Sequence, residues 1–225
     1  MARRRVNWRG LGLLAVLVAG SCGDEPASTA PEPLPAESLP GVYTGVFPCD
    51  GCPGIATTLW IRADGRFFFE QRYPPDGSED ETTVYGYGRW ALGEAPDVVH
   101  LDGKGPRRTF ERTGRDSLLM QVPSDLEHRL NRNVAVPEFA ATVRMTGTLR
   151  SLEGGIEFAE CLTGYAVPVT RGGDFSRFQH QYRSAGGQRG PVFAELEGRF
   201  SWSDDGTPRA LTIERFVTIR ADGSC

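Results

Sequence analysis

The chain is written in short runs of alternating apolar residues, and each run is cut off by glycine, proline or an Asp-Gly pair. Twenty-eight glycines and 16 prolines punctuate 225 residues. Runs of this length with a period of two make strands, because successive side chains on a strand point to opposite faces. From Gly41 to Arg132 they fall at Val42–Phe47, Thr57–Arg62, Arg66–Tyr73, Thr82–Leu92, Val98–Leu101, Thr109–Arg112, Leu118–Val122 and Glu127–Leu130. Asp64-Gly65, between the second and third, is a strong hairpin signal. Six to eight short strands at this spacing predict a small antiparallel barrel or sandwich, and closure of the sheet would remove exposed edges.

Residues 133–141, with Pro137, break the pattern and form a linker. The second module, 142–225, has a different order. Thr142–Ser151 and Gly155–Cys161 form a hairpin about Glu153-Gly154, and Tyr165–Thr170 is a third strand. Asp174 then offers an N-cap, with Phe175, Phe178 and Tyr182 at helical spacing and Ala185-Gly186-Gly187 as a stop. Val192–Trp202 and Ala210–Arg220 follow as strands. Three strands, one short helix and two strands is the element order of an OB-fold barrel.

Ahead of both modules, Arg3, Arg4, Arg5 and Arg9 precede an apolar run from Leu11 to Ala19, and small residues lead to Cys22. That is the layout of an export signal over 1–21, and the run is too short to span a bilayer. Leu17-Val18-Ala19-Gly20-Ser21-Cys22 resembles a bacterial lipobox, which implies a lipidated Cys22 and, with Gly23 following, placement at the outer membrane facing the periplasm. The Pro-rich stretch 22–40 reads as an extended, solvated tether. Removing 1–21 takes four arginines and no acids from a formal net charge of −4, leaving −8. Nucleic acid is a poor partner for such a chain, although Arg144, Arg150 and Arg199 stand on candidate OB strands.

Cys49-Asp50-Gly51-Cys52 is the main chemical signal. Cysteines at i and i+3 can form a small disulfide, bind a soft metal or cycle redox state. No helix follows Pro53-Gly54, so a thioredoxin-type activation is missing. A zinc site would need two more ligands, and His100, His128 and His180 are scattered singly. No GxSxG, HExxH, SxxK or P-loop pattern is present, so the sequence designates no catalytic residue. Asp204-Asp205-Gly206 reads as a turn, not a calcium loop. Phe67–Phe69, Trp60, Tyr85 and Tyr87 either line a ligand cavity or simply fill a barrel, and filling is the expected outcome.

Gly41-Val-Tyr-Thr-Gly45, Phe47-Pro-Cys-Asp-Gly-Cys-Pro-Gly-Ile55, Leu59, Ala63-Asp-Gly65, Arg72-Tyr73 and Gly88-Arg-Trp90 resemble the N-terminal domain of the NlpE copper-resistance lipoprotein family. Met145-Thr-Gly147, Phe158-Ala-Glu-Cys161, Thr163-Gly164, Val167-Pro-Val169, Tyr182, Leu196-Glu-Gly198 and Cys225 are similar to its second domain. The resemblance implies a mainly β, lipid-anchored envelope protein with a lipocalin-like antiparallel β-barrel over 41–132 and an OB-fold barrel held by a disulfide. It implies copper tolerance and envelope-stress signalling to a two-component sensor histidine kinase, with no required cofactor. The pairs it implies are Cys49–Cys52, a candidate copper contact, and Cys161–Cys225. In the chain-entropy model the long bridge is worth about 4 kcal/mol and the short one about 2. The long bridge is therefore expected to be structural, and the short one either to report copper contact or thiol state or to staple the turn. The competing readings are a periplasmic copper buffer using Cys49 and Cys52, and a carrier of a small hydrophobic ligand.

Overall fold

A computed structural model describes residues 34–75, 80–123 and 125–225. The expected export signal, Cys22 and most of the Pro-rich stretch lie outside the described residues. Eight strands form the first barrel: β1 (Gly41–Phe47), β2 (Ile55–Ile61), β3 (Arg66–Tyr73), β4 (Thr82–Leu92), β5 (Val98–Gly103), β6 (Arg108–Gly114), β7 (Ser117–Met120) and β8 (Arg129–Arg132). Each runs antiparallel to the next, and β8 returns to β1 through Tyr43 opposite Arg132. This is an up-and-down closed barrel, the lipocalin-like arrangement.

The second barrel contains β9 (Val143–Leu152), β10 (Gly155–Glu160), β11 (Ala166–Thr170), β12 (Val192–Trp202) and β13 (Pro208–Arg220), with α1 (Phe175–Ser184) between β11 and β12. Its closed order is β10-β11-β13-β12-β9, and β11 with β13 is its parallel pair. That pairing is OB-fold topology. α1 ends in a Schellman turn: Gly187 N–H donates to Tyr182 O and Gly186 N–H to Arg183 O, with Gly186 at φ +82. Its start differs from expectation. Asp174 makes no side-chain cap; its carboxylate turns inward and accepts the Phe216 N–H at 3.0 Å.

The three consecutive phenylalanines of β3 divide between two cores. Phe67 and Phe69 point into the first barrel beside Phe47, Leu59, Phe110 and Leu118. Phe68 points outward yet is wholly buried. Register places Trp60, Phe68 and Tyr87 in one row across β2, β3 and β4. Phe139 of the linker and Phe200 and Trp202 of the second barrel cover that row, with Phe68 stacked on Phe139 at a 4.5 Å centroid distance. These outward aromatics therefore neither line a cavity nor fill the first barrel, because alternation aims them at the neighbouring barrel.

Polar groups complete the contact between barrels. The Asp64 turn accepts the Tyr165 hydroxyl at 2.7 Å, and Arg66 and Arg89 donate to the carbonyls of Thr163 and Leu162. Trp60 Nε1 donates to Pro137 O, and Tyr87 donates to Arg144 O. Burial pushes the Tyr87 and Tyr165 hydroxyls far above the usual phenol range, with Glu160 and Asp64 beside them adding to it.

Residues 34–40 are not the solvated end of a tether. Ala36–Ser38 form a single 3₁₀ turn, and Leu39 is 1% exposed in the first core. Arg112, itself 5% exposed, donates to Leu34 O, Pro35 O and Ser38 Oγ. Arg132 donates to Ser38 O and Pro40 O while its guanidinium lies over the Tyr43 ring. The segment plugs one end of the barrel because an apolar residue among prolines finds a hydrophobic opening rimmed by two arginines. Five backbone and hydroxyl oxygens then have cationic donors.

Candidate functional site

β1 runs from the plug to the turn that carries Cys49 and Cys52, and Phe47 pairs with Ile55 across that turn. A seven-residue strand is about 20 Å long, so plug and CxxC turn lie at opposite ends of the first barrel. Pro48 and Pro53 bracket the loop and deprive it of two ladder donors. Gly54 sits at φ +124, and a Cβ there would collide with Val46 Cγ1, so this turn requires glycine.

Cys49 and Cys52 are bonded to each other, with Cα atoms 5.6 Å apart, and the Gly54 N–H approaches Cys52 Sγ at 3.4 Å. Both cysteines are half-buried. On one side of the bridge lies a concavity lined by Asp50, Ile55, Tyr73, Pro74 and Asp80. On the other, Val46, Pro48, Pro53 and Leu126 make an apolar rim, with Val46 62% exposed. His128 packs edge-on against Phe47 with its Nδ1 3.0 Å from Leu126 O.

A copper ion does not fit this loop as it is bonded. Soft metals are held by thiolates, and both sulfurs are spent on each other. Among the described residues no three His, Cys, Asp or Glu side chains are grouped to hold a metal. Copper chemistry here requires the bridge to open first. His100 and His180 lie elsewhere, His100 hydrogen-bonded to Thr109 Oγ1. Asp205 is an acceptor of its own turn: the Thr207 N–H and the Ser203 and Thr207 hydroxyls pull its pKa down to about 2.

Cys161 is bonded to Cys225, Cα atoms 5.3 Å apart, 64 residues along the chain. Cys161 belongs to the loop that Arg66 and Arg89 grip from the first barrel. In the same loop the buried Glu160 accepts the Thr163 N–H and hydroxyl at 2.6 Å each. The long bridge thus ties the C-terminus to the loop that docks between the barrels. That arrangement and the arginine plug were not read from the sequence. The signals for them were the odd apolar Leu39 among prolines and the outward parity of Phe68. Arg144, Arg150 and Arg199 are paired with Glu195, Glu157 and Glu214, so the OB strands offer a charge-balanced surface there.

An up-and-down barrel with an exposed CxxC turn, joined to a disulfide-closed OB-fold, defines a two-barrel β protein without an evident catalytic centre among its described residues. Residues 43–128 match the model of the NlpE N-terminal domain. The first barrel is thus similar to the NlpE N-terminal domain, and the chain is similar to the NlpE lipoproteins beyond it. Lipoprotein NlpE of Escherichia coli K12 is 28% identical over 181 residues, covering 76% of this chain and 73% of that protein. A crystal structure of the Cpx pathway activator NlpE from Escherichia coli is 23% identical, covering 83% of this chain and 98% of that one, with a TM-score of 0.34. A lipoprotein structure from Shewanella oneidensis is 28% identical over 43% of this chain and 90% of its own, with a TM-score of 0.35. The fold assignment rests on the strand pairing above.

Proposed function

We propose that this chain is a lipid-anchored protein of the bacterial envelope that reports envelope stress, copper included, to a partner of the sensor-kinase type. Cys22 is the lipidated residue and holds the chain at the outer membrane, facing the periplasm. The carrying observation is the exposed Cys49–Cys52 turn at the end of an NlpE-type barrel, opposite the plug from which the tether leaves. A relative described as a Cpx pathway activator supports the signalling role. The long Cys161–Cys225 bridge is structural, and the short bridge is the reporting element. No catalytic role and no required cofactor are assigned.

The rival is a periplasmic copper buffer. It is favoured by two soft, half-buried sulfurs and requires their reduction. The hydrophobic-carrier reading is disfavoured, since Phe47, Phe67, Phe69 and Phe110 fill the barrel interior. Pulldown from envelope extracts, native chain against Cys22→Ala, tests the proposal. It predicts a kinase-type partner captured by the native chain and reduced capture by the variant. Copper titration of the reduced mature chain separates the rival: binding at micromolar copper with no captured partner would favour the buffer.

A further inference from the structure

The second barrel carries two kinds of arginine. Over its strands most are answered by glutamates: Arg144 by Glu195 at 2.8 Å, Arg199 by Glu214 at 3.0 Å, Arg215 by Glu197, while Arg209 and Arg220 of β13 stand apart from one another without a carboxylate partner among the described residues, Arg220 lying over the Phe193 ring. Around α1 arginines gather with a single acid among them. Arg171, Arg183 and Arg189 are exposed and have no carboxylate partner among the described residues. Arg177 has one carboxylate partner, Asp174 at 3.7 Å, and lies over the Phe216 ring at 5.9 Å. Asp174 is the one acid between Arg171 and Arg189, and it is occupied inward by the Phe216 N–H.

Burial of Phe178 and Tyr182 fixes which side of α1 faces out. Arg177, His180 and Arg183 stand on that outer side, and Arg171 and Arg183 line one shallow concavity with Gly172, Gly173 and Ser176. No large apolar side chain is exposed among residues 171–190. Whatever meets this face meets it through charge and not by insertion.

We propose that the outer face of α1 and its flanking loops dock electrostatically on an anionic phospholipid surface, the arginines meeting headgroup phosphates. Guanidinium forks match phosphate oxygens bidentately. The remainder of the chain is acidic, yet screening over about 10 Å leaves a bilayer sensing only the charges turned towards it. The inference takes from the proposed anchoring only that a membrane is near. Eleven residues separate Cys22 from Leu34. Fully extended they reach about 40 Å, enough for the body to turn this face to the bilayer.

The test uses the mature chain from Gly23 without its acyl group; both barrels lie in one compact unit from Pro33 to Cys225. It is co-sedimented with phosphatidylcholine vesicles, with and without phosphatidylglycerol. Binding is expected only to the anionic vesicles and falls with added salt. Each basic side chain contributes about fivefold, so Arg171→Gln/Arg183→Gln/Arg189→Gln weakens binding about a hundredfold. Arg144→Gln/Arg199→Gln/Arg215→Gln removes the same charge from the paired strands and leaves binding within about threefold. Equal losses in both triples, or equal binding to neutral vesicles, would overturn the proposal. Because the acyl group is absent throughout, failure of lipidation at Cys22 would show separately, in the mass of the exported chain.

Discussion

Replacing Phe68 with alanine asks whether the two barrels stand as one body. On an ordinary eight-stranded barrel an outward side chain of β3 meets water, and its truncation changes stability by about 0.5 kcal/mol or less. Here Phe68 is fully buried, stacked on Phe139 at 4.5 Å and edge-on to Trp202 at 5.3 Å. Truncating a buried phenylalanine costs about 3–5 kcal/mol, and the lost ring pairs place this site in the upper part of that range. Urea unfolding read by tryptophan fluorescence suits the site, since Trp60 and Trp202 both lie in the contact. With an m-value of about 3 kcal/mol per molar, the midpoint falls by at least about 1 M. The transition also splits into two steps as the barrels lose their common core. Phe67→Ala, which empties the first barrel's interior, costs a similar amount without splitting it. A loss below about 1 kcal/mol for Phe68→Ala would refute the shared interface.

Arg112→Met leaves Leu34 O, Pro35 O and Ser38 Oγ without their donor, so stability falls by about 2–4 kcal/mol and proteases cut within residues 34–40 faster than elsewhere in the barrel. The raised Tyr87 and Tyr165 pKa values mean that the folded chain keeps protons the unfolded chain releases above about pH 10; stability is whole below that pH and declines above it, and Tyr87→Phe flattens the decline in alkaline unfolding titrations. Cys161→Ser/Cys225→Ser costs about 4 kcal/mol and Cys49→Ser/Cys52→Ser about 2, so the denaturant midpoint is highest for the oxidised chain, lower for Cys49→Ser/Cys52→Ser and lowest for Cys161→Ser/Cys225→Ser. Gly54→Ala lowers stability by about 1–3 kcal/mol, and adding Val46→Ala restores only part of it, because the collision is relieved and the backbone strain is not.

Much of the fold was legible because strand alternation and turn residues are local. Arg66–Tyr73, Thr82–Leu92 and Val192–Trp202 were read with the bounds the structure shows. The order of three strands, one helix and two strands pointed to the OB barrel, and the resemblance to the NlpE family implied the same. What escaped was tertiary. Parity put Phe68 opposite Phe67 and Phe69, but nothing local says that a second barrel covers it. Leu39 looked like one apolar residue in a Pro-rich tether until Arg112, 73 positions on, rimmed the opening it fills. Asp174 has the identity of an N-cap, but a donor from a distant strand, Phe216 N–H, takes its carboxylate. The CxxC turn stood out through spacing alone. Its state, bonded and half-buried at the far end from the plug, came from the three-dimensional arrangement.

The proposed reporting role of Cys49–Cys52 meets its most direct test in the living envelope. The full chain and its Cys49→Ser/Cys52→Ser variant are produced at equal levels in a bacterium lacking its own NlpE-type lipoprotein, and a Cpx-type transcriptional reporter is read with and without added copper. The account predicts a copper-dependent rise with the native chain and its loss in the variant. Full copper response from the variant would contradict it.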